Sequence, residues 1–73
     1  MKLPIDVSGQ ALVRALLRKG FIVTRQRGSH IVLRRDHPHA RVVVPNHNPI
    51  RPGTLRQILN EAGLTVQELI ELL

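Results

Sequence analysis

The sequence predicts an α+β domain of order α-β-β-β-α plus a short terminal helix, with a three-stranded antiparallel sheet carrying its helices on one face. Three observations predict it. Apolar residues recur at helical spacing near both ends, at Leu12, Val13, Leu16 and Leu17 and again at Leu55, Ile58, Leu59 and Ala62. Between them lie three short runs rich in β-branched residues. The runs are joined by turns too short for a parallel crossover, so neighbouring strands must be antiparallel. Helices on one face of such a sheet bury the apolar side of both layers.

The elements follow in order. Ser8 suits an N-cap, because its hydroxyl can accept from a free first-turn N–H. The helix runs from about Ser8 to Lys19, with Arg18 and Lys19 where the dipole favours cations and Gly20 able to end it left-handed. Phe21 to Arg27 is the first strand, Gly28-Ser29 a tight connection, and His30 to Arg35 the second strand. Asp36-His37-Pro38-His39 is a turn, since Pro38 has no N–H for a ladder. Ala40 to Val44 is the third strand, closed by Pro45, and Asn46 to Gly53 is a loop. Thr54 and Gln57 match a capping box for the next helix, Gly63 ends it, and Leu64 can fold back as in a Schellman motif. Thr65 and Glu68 match a second capping box for the terminal helix. The expected core is Leu12, Leu16, Phe21, Val23, Ile31, Leu33, Val42, Val44, Leu55, Ile58 and Leu59.

At 73 residues the chain is expected to form one domain (1–73). Without cysteine there is neither a disulfide nor a thiolate metal site, which suits a reducing cytoplasm. No stretch approaches the ~20 apolar residues of a membrane span, and the first six residues lack the apolar run of a signal peptide. A cytoplasmic protein without membrane contact is the expectation.

Charge is the strongest compositional signal. Eleven Lys and Arg face five Asp and Glu, a formal net charge of +6. Between Arg14 and Arg56 the only acid is Asp36, while Glu61, Glu68 and Glu71 are confined to the end. Such a field attracts polyanions, and arginine forks match phosphate oxygens bidentately. An acidic protein partner would exploit the same field. Phe21 is the only aromatic residue, so the chain is no platform for stacking single-stranded bases. It should grip a backbone.

Alternation in the second strand puts Ile31 and Leu33 on the helix-covered face and His30, Val32 and Arg34 on the open one. A histidine at the start of a strand, beside a turn, can exchange protons with a substrate near neutrality. On its own, though, such an exposed histidine is more often inert. His37, His39 and His47 raise the question of zinc, but no thiolate or carboxylate completes a usual ligand set. No carboxylate cluster suits a two-metal nuclease either. No cofactor is expected.

Several short pieces resemble one family when taken together. They are Ser8-Gly9 before the first helix, Gly20-Phe21 after it, Gly28-Ser29-His30, Val44-Pro45-x-His47, and Gly53-Thr54-Leu55-Arg56-x-Ile58-Leu59 followed by Ala62-Gly63-Leu64. In order and spacing they resemble the HicA toxins, over about Ser8 to Leu72. Ala11, where many members carry an acid, and the histidine-rich turn at His37 and His39 depart from that pattern. The resemblance implies a fold like that of double-stranded-RNA-binding domains and a ribosome-independent mRNA interferase activity. It also implies a HicB-like antitoxin, expected to be acidic. It assigns the catalytic role to His30. The residues expected to contact RNA are Arg25, Arg27, Ser29, Arg34, Arg41, His47 and Arg56. The expected chemistry is histidine-assisted, metal-independent attack of the 2′-hydroxyl of mRNA. Two other readings compete: a non-catalytic double-stranded-RNA-binding module of the same fold, and an interaction protein that docks an acidic partner.

Overall fold

The computed structural model describes residues 2–73. The order is α1 (Gly9–Arg18), β1 (Ile22–Arg27), β2 (His30–Asp36), β3 (His39–Pro45), α2 (Pro52–Ala62) and α3 (Val66–Leu72). The strands form an antiparallel meander in the order β1-β2-β3. The helices cover one face, so the α-β-β-β-α architecture expected from the sequence is the one observed.

Local chemistry sets most boundaries. The Ser8 hydroxyl accepts from the Ala11 N–H at 3.1 Å and starts α1. At its end Gly20 is left-handed, with φ of +89°. The Phe21 N–H then reaches the Leu16 carbonyl and the Gly20 N–H the Leu17 carbonyl, at 3.1 and 3.2 Å. That is a Schellman closure, and it drops Phe21 into the core. The end of α2 repeats the device at Gly63, with the Leu64 N–H on the Leu59 carbonyl at 2.9 Å. Thr65 and Glu68 form the reciprocal capping box of α3. A Lys19–Glu68 ion pair at 3.1 Å and an Arg18 bond to the Leu72 carbonyl dock α3 on the end of α1.

The start of α2 corrects the sequence reading. The helix begins at Pro52, with Arg51 at the N-cap and no side-chain cap. Proline at the first helical position lacks only an N–H that would be orphaned anyway, and its fixed φ suits the helix. The Thr54–Gln57 capping box therefore does not form.

Ten of the eleven expected core residues are buried in one cluster. Val23 is the exception, at 45% exposure. It points to the helix side, opposite Leu33, but β1 is an edge strand, and Val23 lines an open cleft with Gln10 and Val13 of α1. Val7 and Ile50 join the core from irregular segments linked by the Ile50 N–H bond to the Val7 carbonyl. Arg35 closes one end of the core. Its guanidinium lies 4.6 Å from the Phe21 ring centroid and donates to the Ala62 and Pro38 carbonyls.

Candidate nucleic-acid interface and active site

The pairing register decides what the open sheet face presents. Residues directly opposite across neighbouring strands project to the same side. His30 faces Arg27 on one side and Pro45 on the other, Val32 faces Arg25 and Val43, and Arg34 faces Ile22 and Arg41. His30, Arg25, Arg27, Arg34 and Arg41 thus share the face that the main core leaves free. Strict alternation through β1 would have sent Arg25 and Arg27 to the same side as Val23. A bulge between Val23 and Arg25 prevents this by inserting Thr24, whose hydroxyl donates to the Val32 carbonyl at 3.2 Å. Arg34 and Arg41 stand directly opposite one another, a like-charge pairing that costs stability. Of the two, Arg34 alone has a counter-ion among the described residues, Asp36 at 3.1 Å.

At one end of this face three segments meet. Gly28, at φ +55°, occupies the first position of the two-residue β1–β2 turn, where a type II′ hairpin places its glycine. The turn delivers His30 as the first residue of β2. The Asn46 N–H donates to the Ser29 carbonyl at 2.6 Å and the Gly9 N–H to the His47 carbonyl at 2.8 Å. These bonds hold the β3–α2 loop against the turn and against α1. The result is a cavity of about 390 Å³ lined by His30, Val43, Pro45, His47, Arg51 and Thr54. Because no side chain caps α2, the N–H groups of Gly53 and Thr54 at its positive end are left for solvent or an anion.

The structure brings some of the expected residues together and separates others. His30 and His47 share the cavity. Arg25, Arg27, Arg34 and Arg41 occupy the adjoining sheet face, all exposed. Ser29 is exposed in the turn. Arg56 is exposed on α2 but does not line the cavity; it lies roughly 200° around the helix from Thr54. His37 and His39 lie at the far end of the β2–β3 hairpin, about 20 Å along the strand from His30. Among the described residues no three His, Asp or Glu side chains are grouped to hold a metal ion. Sequence reasoning missed Arg51 and left Thr54 as a cap. Pro52 was the available signal, since proline at a first helical position makes Arg51 the residue beside the helix end.

The fold and this face together define a small α+β domain with an open, arginine-lined sheet surface and two histidines at its rim. The family model for the HicA toxin of bacterial toxin-antitoxin systems matches residues 9–64, and the chain belongs to that family. The match runs from the first residue of α1 through the whole sheet to Leu64, just beyond α2, and leaves α3 outside. No curated protein matches the chain. The protein is thus a HicA toxin of a toxin-antitoxin system, and membership implies an antitoxin partner. No helix among the described residues is long and apolar enough to cross a membrane.

Proposed function

We propose that this toxin is an endoribonuclease that cuts mRNA at the His30–His47 cavity, without a metal ion. The observation that carries the reading is the convergence of two imidazoles and Arg51 on one cavity, at the edge of a sheet face bearing four arginines. RNA brings its own nucleophile. His30 takes the proton of a 2′-hydroxyl as that oxygen attacks the adjacent phosphorus. Arg51 and the free N–H groups at the start of α2 stabilise the charge that builds on the phosphorane oxygens. The bond from phosphorus to the 5′-oxygen then breaks, and His47 gives that oxygen its proton. The products are a 2′,3′-cyclic phosphate and a 5′-hydroxyl end. Arg25, Arg27, Arg34 and Arg41 hold the flanking phosphates. An acidic antitoxin covering the same face would exclude RNA, and the positive field would speed its arrival at low salt.

A module that only binds RNA has no use for paired proton-transfer groups, and this favours the enzyme over the non-catalytic alternative. The deciding experiment uses an RNA whose 2′-hydroxyl at the cut site is replaced by hydrogen. It should bind nearly as well as the parent and remain uncut. His30→Ala should fold normally and lose roughly 10²–10⁴-fold in rate. Cutting of the deoxy-substituted site at the parent rate would exclude internal attack.

A further inference from the structure

The cavity around His30 does not end at Thr54. A second cavity of about 300 Å³ continues along the groove between β3 and α2, shares Val43 and Thr54 with the first, and is completed by Arg41, Gln57, Ile58 and Glu61. Thr54, Gln57 and Glu61 are spaced three and four residues apart and form one stripe on α2. Ile58, 2% exposed, belongs to the core.

The polar groups of this second cavity are uncommitted. Arg41, Gln57 and Glu61 make no side-chain hydrogen bond or ion pair among the described residues. Among the described residues Glu61 is the only acid lining either cavity. A carboxylate repels phosphate, so its place in a groove otherwise suited to a polyanion needs another partner. A nucleobase edge that offers donors is such a partner. Guanine presents two adjacent donors, N1–H and N2–H, to a single carboxylate, and its O6 accepts from an amide such as that of Gln57.

We infer that the groove beside His30 is a base-reading subsite in which Glu61 and Gln57 select guanine next to the scissile phosphate, with Arg41 on the adjoining phosphate. The inference rests on the reading of the His30 cavity as the site of RNA cleavage. It adds the substrate's sequence preference, which comes from edge hydrogen bonding and needs no aromatic platform.

Two measurements test it. Cleavage sites of the wild-type protein and of Glu61→Gln are mapped on one RNA of mixed sequence. Wild type should cut with guanine enriched at one position flanking the cut. Glu61→Gln should lower the rate ratio of guanine sites to uridine sites by roughly tenfold, within the range of a bidentate base contact. Gln57→Ala should lower it less. Binding is then measured with short oligonucleotides carrying a 2′-deoxy substitution at the cut position, one with guanine and one with uridine beside it. Wild type should prefer guanine and Glu61→Gln should not. This second readout separates the two hypotheses. Guanine-selective binding that Glu61→Gln abolishes, with no cleavage by wild type, would retain the subsite and remove the nuclease reading. Cleavage with identical site spectra in the two proteins, or binding without base preference, would overturn the subsite.

Discussion

The backbone N–H of Gly9 donates to the carbonyl of His47 at 2.8 Å, so the first residue of α1 holds the loop that carries one of the two cavity histidines. Only glycine fits there. A Cβ on Gly9 would collide with the Pro45 carbonyl oxygen and lie 2.8 Å from the Asn46 Cα, both backbone atoms that cannot swing aside. Gly9→Ala should therefore cost about 1–3 kcal/mol as local overpacking. It should also lower cleavage by more than the loss of folded protein accounts for, because His47 moves. Ser8→Ala, which removes only the cap of α1, should cost about 1 kcal/mol and leave the activity per folded molecule unchanged. Denaturant titration beside initial rates checks both, and equal stability of Gly9→Ala and wild type would refute the packing argument.

Arg35 resembles the other arginines in sequence but differs from them in place. Its position opposite Ala40 turns it to the helix side, onto Phe21 and the end of α2. Arg35→Ala should destabilise the fold by roughly 1–3 kcal/mol, from a cation–π contact and two hydrogen bonds lost together. Lysine should restore only part, since an ammonium cannot reproduce the planar fork. The salt dependence of RNA binding should stay that of wild type. A smaller salt slope in a fully folded Arg35→Ala would place this residue on the RNA instead.

Much of this organisation was legible in the sequence because it is local. Both Schellman closures, the Ser8 cap and the Thr65 box each depend on residues within a few positions of one another. The faces of β2 followed from alternation alone. What escaped was non-local or irregular. Val23 is expected in the core from the alternating spacing of its strand, but nothing in the sequence says that β1 is an edge whose cleft against α1 stays open. The bulge at Thr24 that turns Arg25 and Arg27 to the open face has no composition signal of its own. Val7 and Ile50 lie in segments without periodicity, so their burial is a tertiary fact. Arg51 becomes part of the cavity only because α2 begins two residues before Thr54.

The docking of α3 should weaken in acid. Bonding to the Thr65 backbone N–H, and then the partnership with Lys19, hold the Glu68 carboxyl below its usual value of 4.5. A carboxylate depressed in the folded state contributes stability above its unfolded value and loses it as pH falls through the folded one. The contribution should be intact at neutrality and fade below about pH 4.5. Glu68→Gln keeps the side-chain acceptor of the capping box and removes the charge. Its amide-exchange protection in α3 should be lower at neutral pH and lose this acid dependence. A variant with the same acid profile as wild type would show that Glu68 does not carry it.

The open-face arginines should act through phosphate alone. Arg27 is exposed beside His30 and makes no ion pair among the described residues. Arg27→Gln should leave stability within about 0.5 kcal/mol of wild type. It should weaken binding to all single-stranded sequences alike, and reduce the slope of log K against log salt by about 0.7. Arg25→Gln should do the same. Loss of affinity for one sequence only, with the slope unchanged, would mean that Arg27 reads a base.

The sharpest prediction concerns His47, because it separates a catalytic role from a positioning one. If His47 protonates the departing 5′-oxygen, His47→Ala should slow cleavage by roughly 10²–10⁴-fold. A substrate whose 5′-oxygen at the cut is replaced by sulfur has a leaving group that needs no proton. On that substrate His47→Ala should recover to within a small factor of wild type, while His30→Ala should remain slow, since the 2′-hydroxyl proton must still be removed. Excess EDTA should change neither result, because imidazole and guanidinium groups supply the proton transfers and the charge stabilisation. An equal defect of His47→Ala on both substrates would reduce this residue to holding phosphate, and full recovery of His30→Ala on the sulfur substrate would reverse the two assignments.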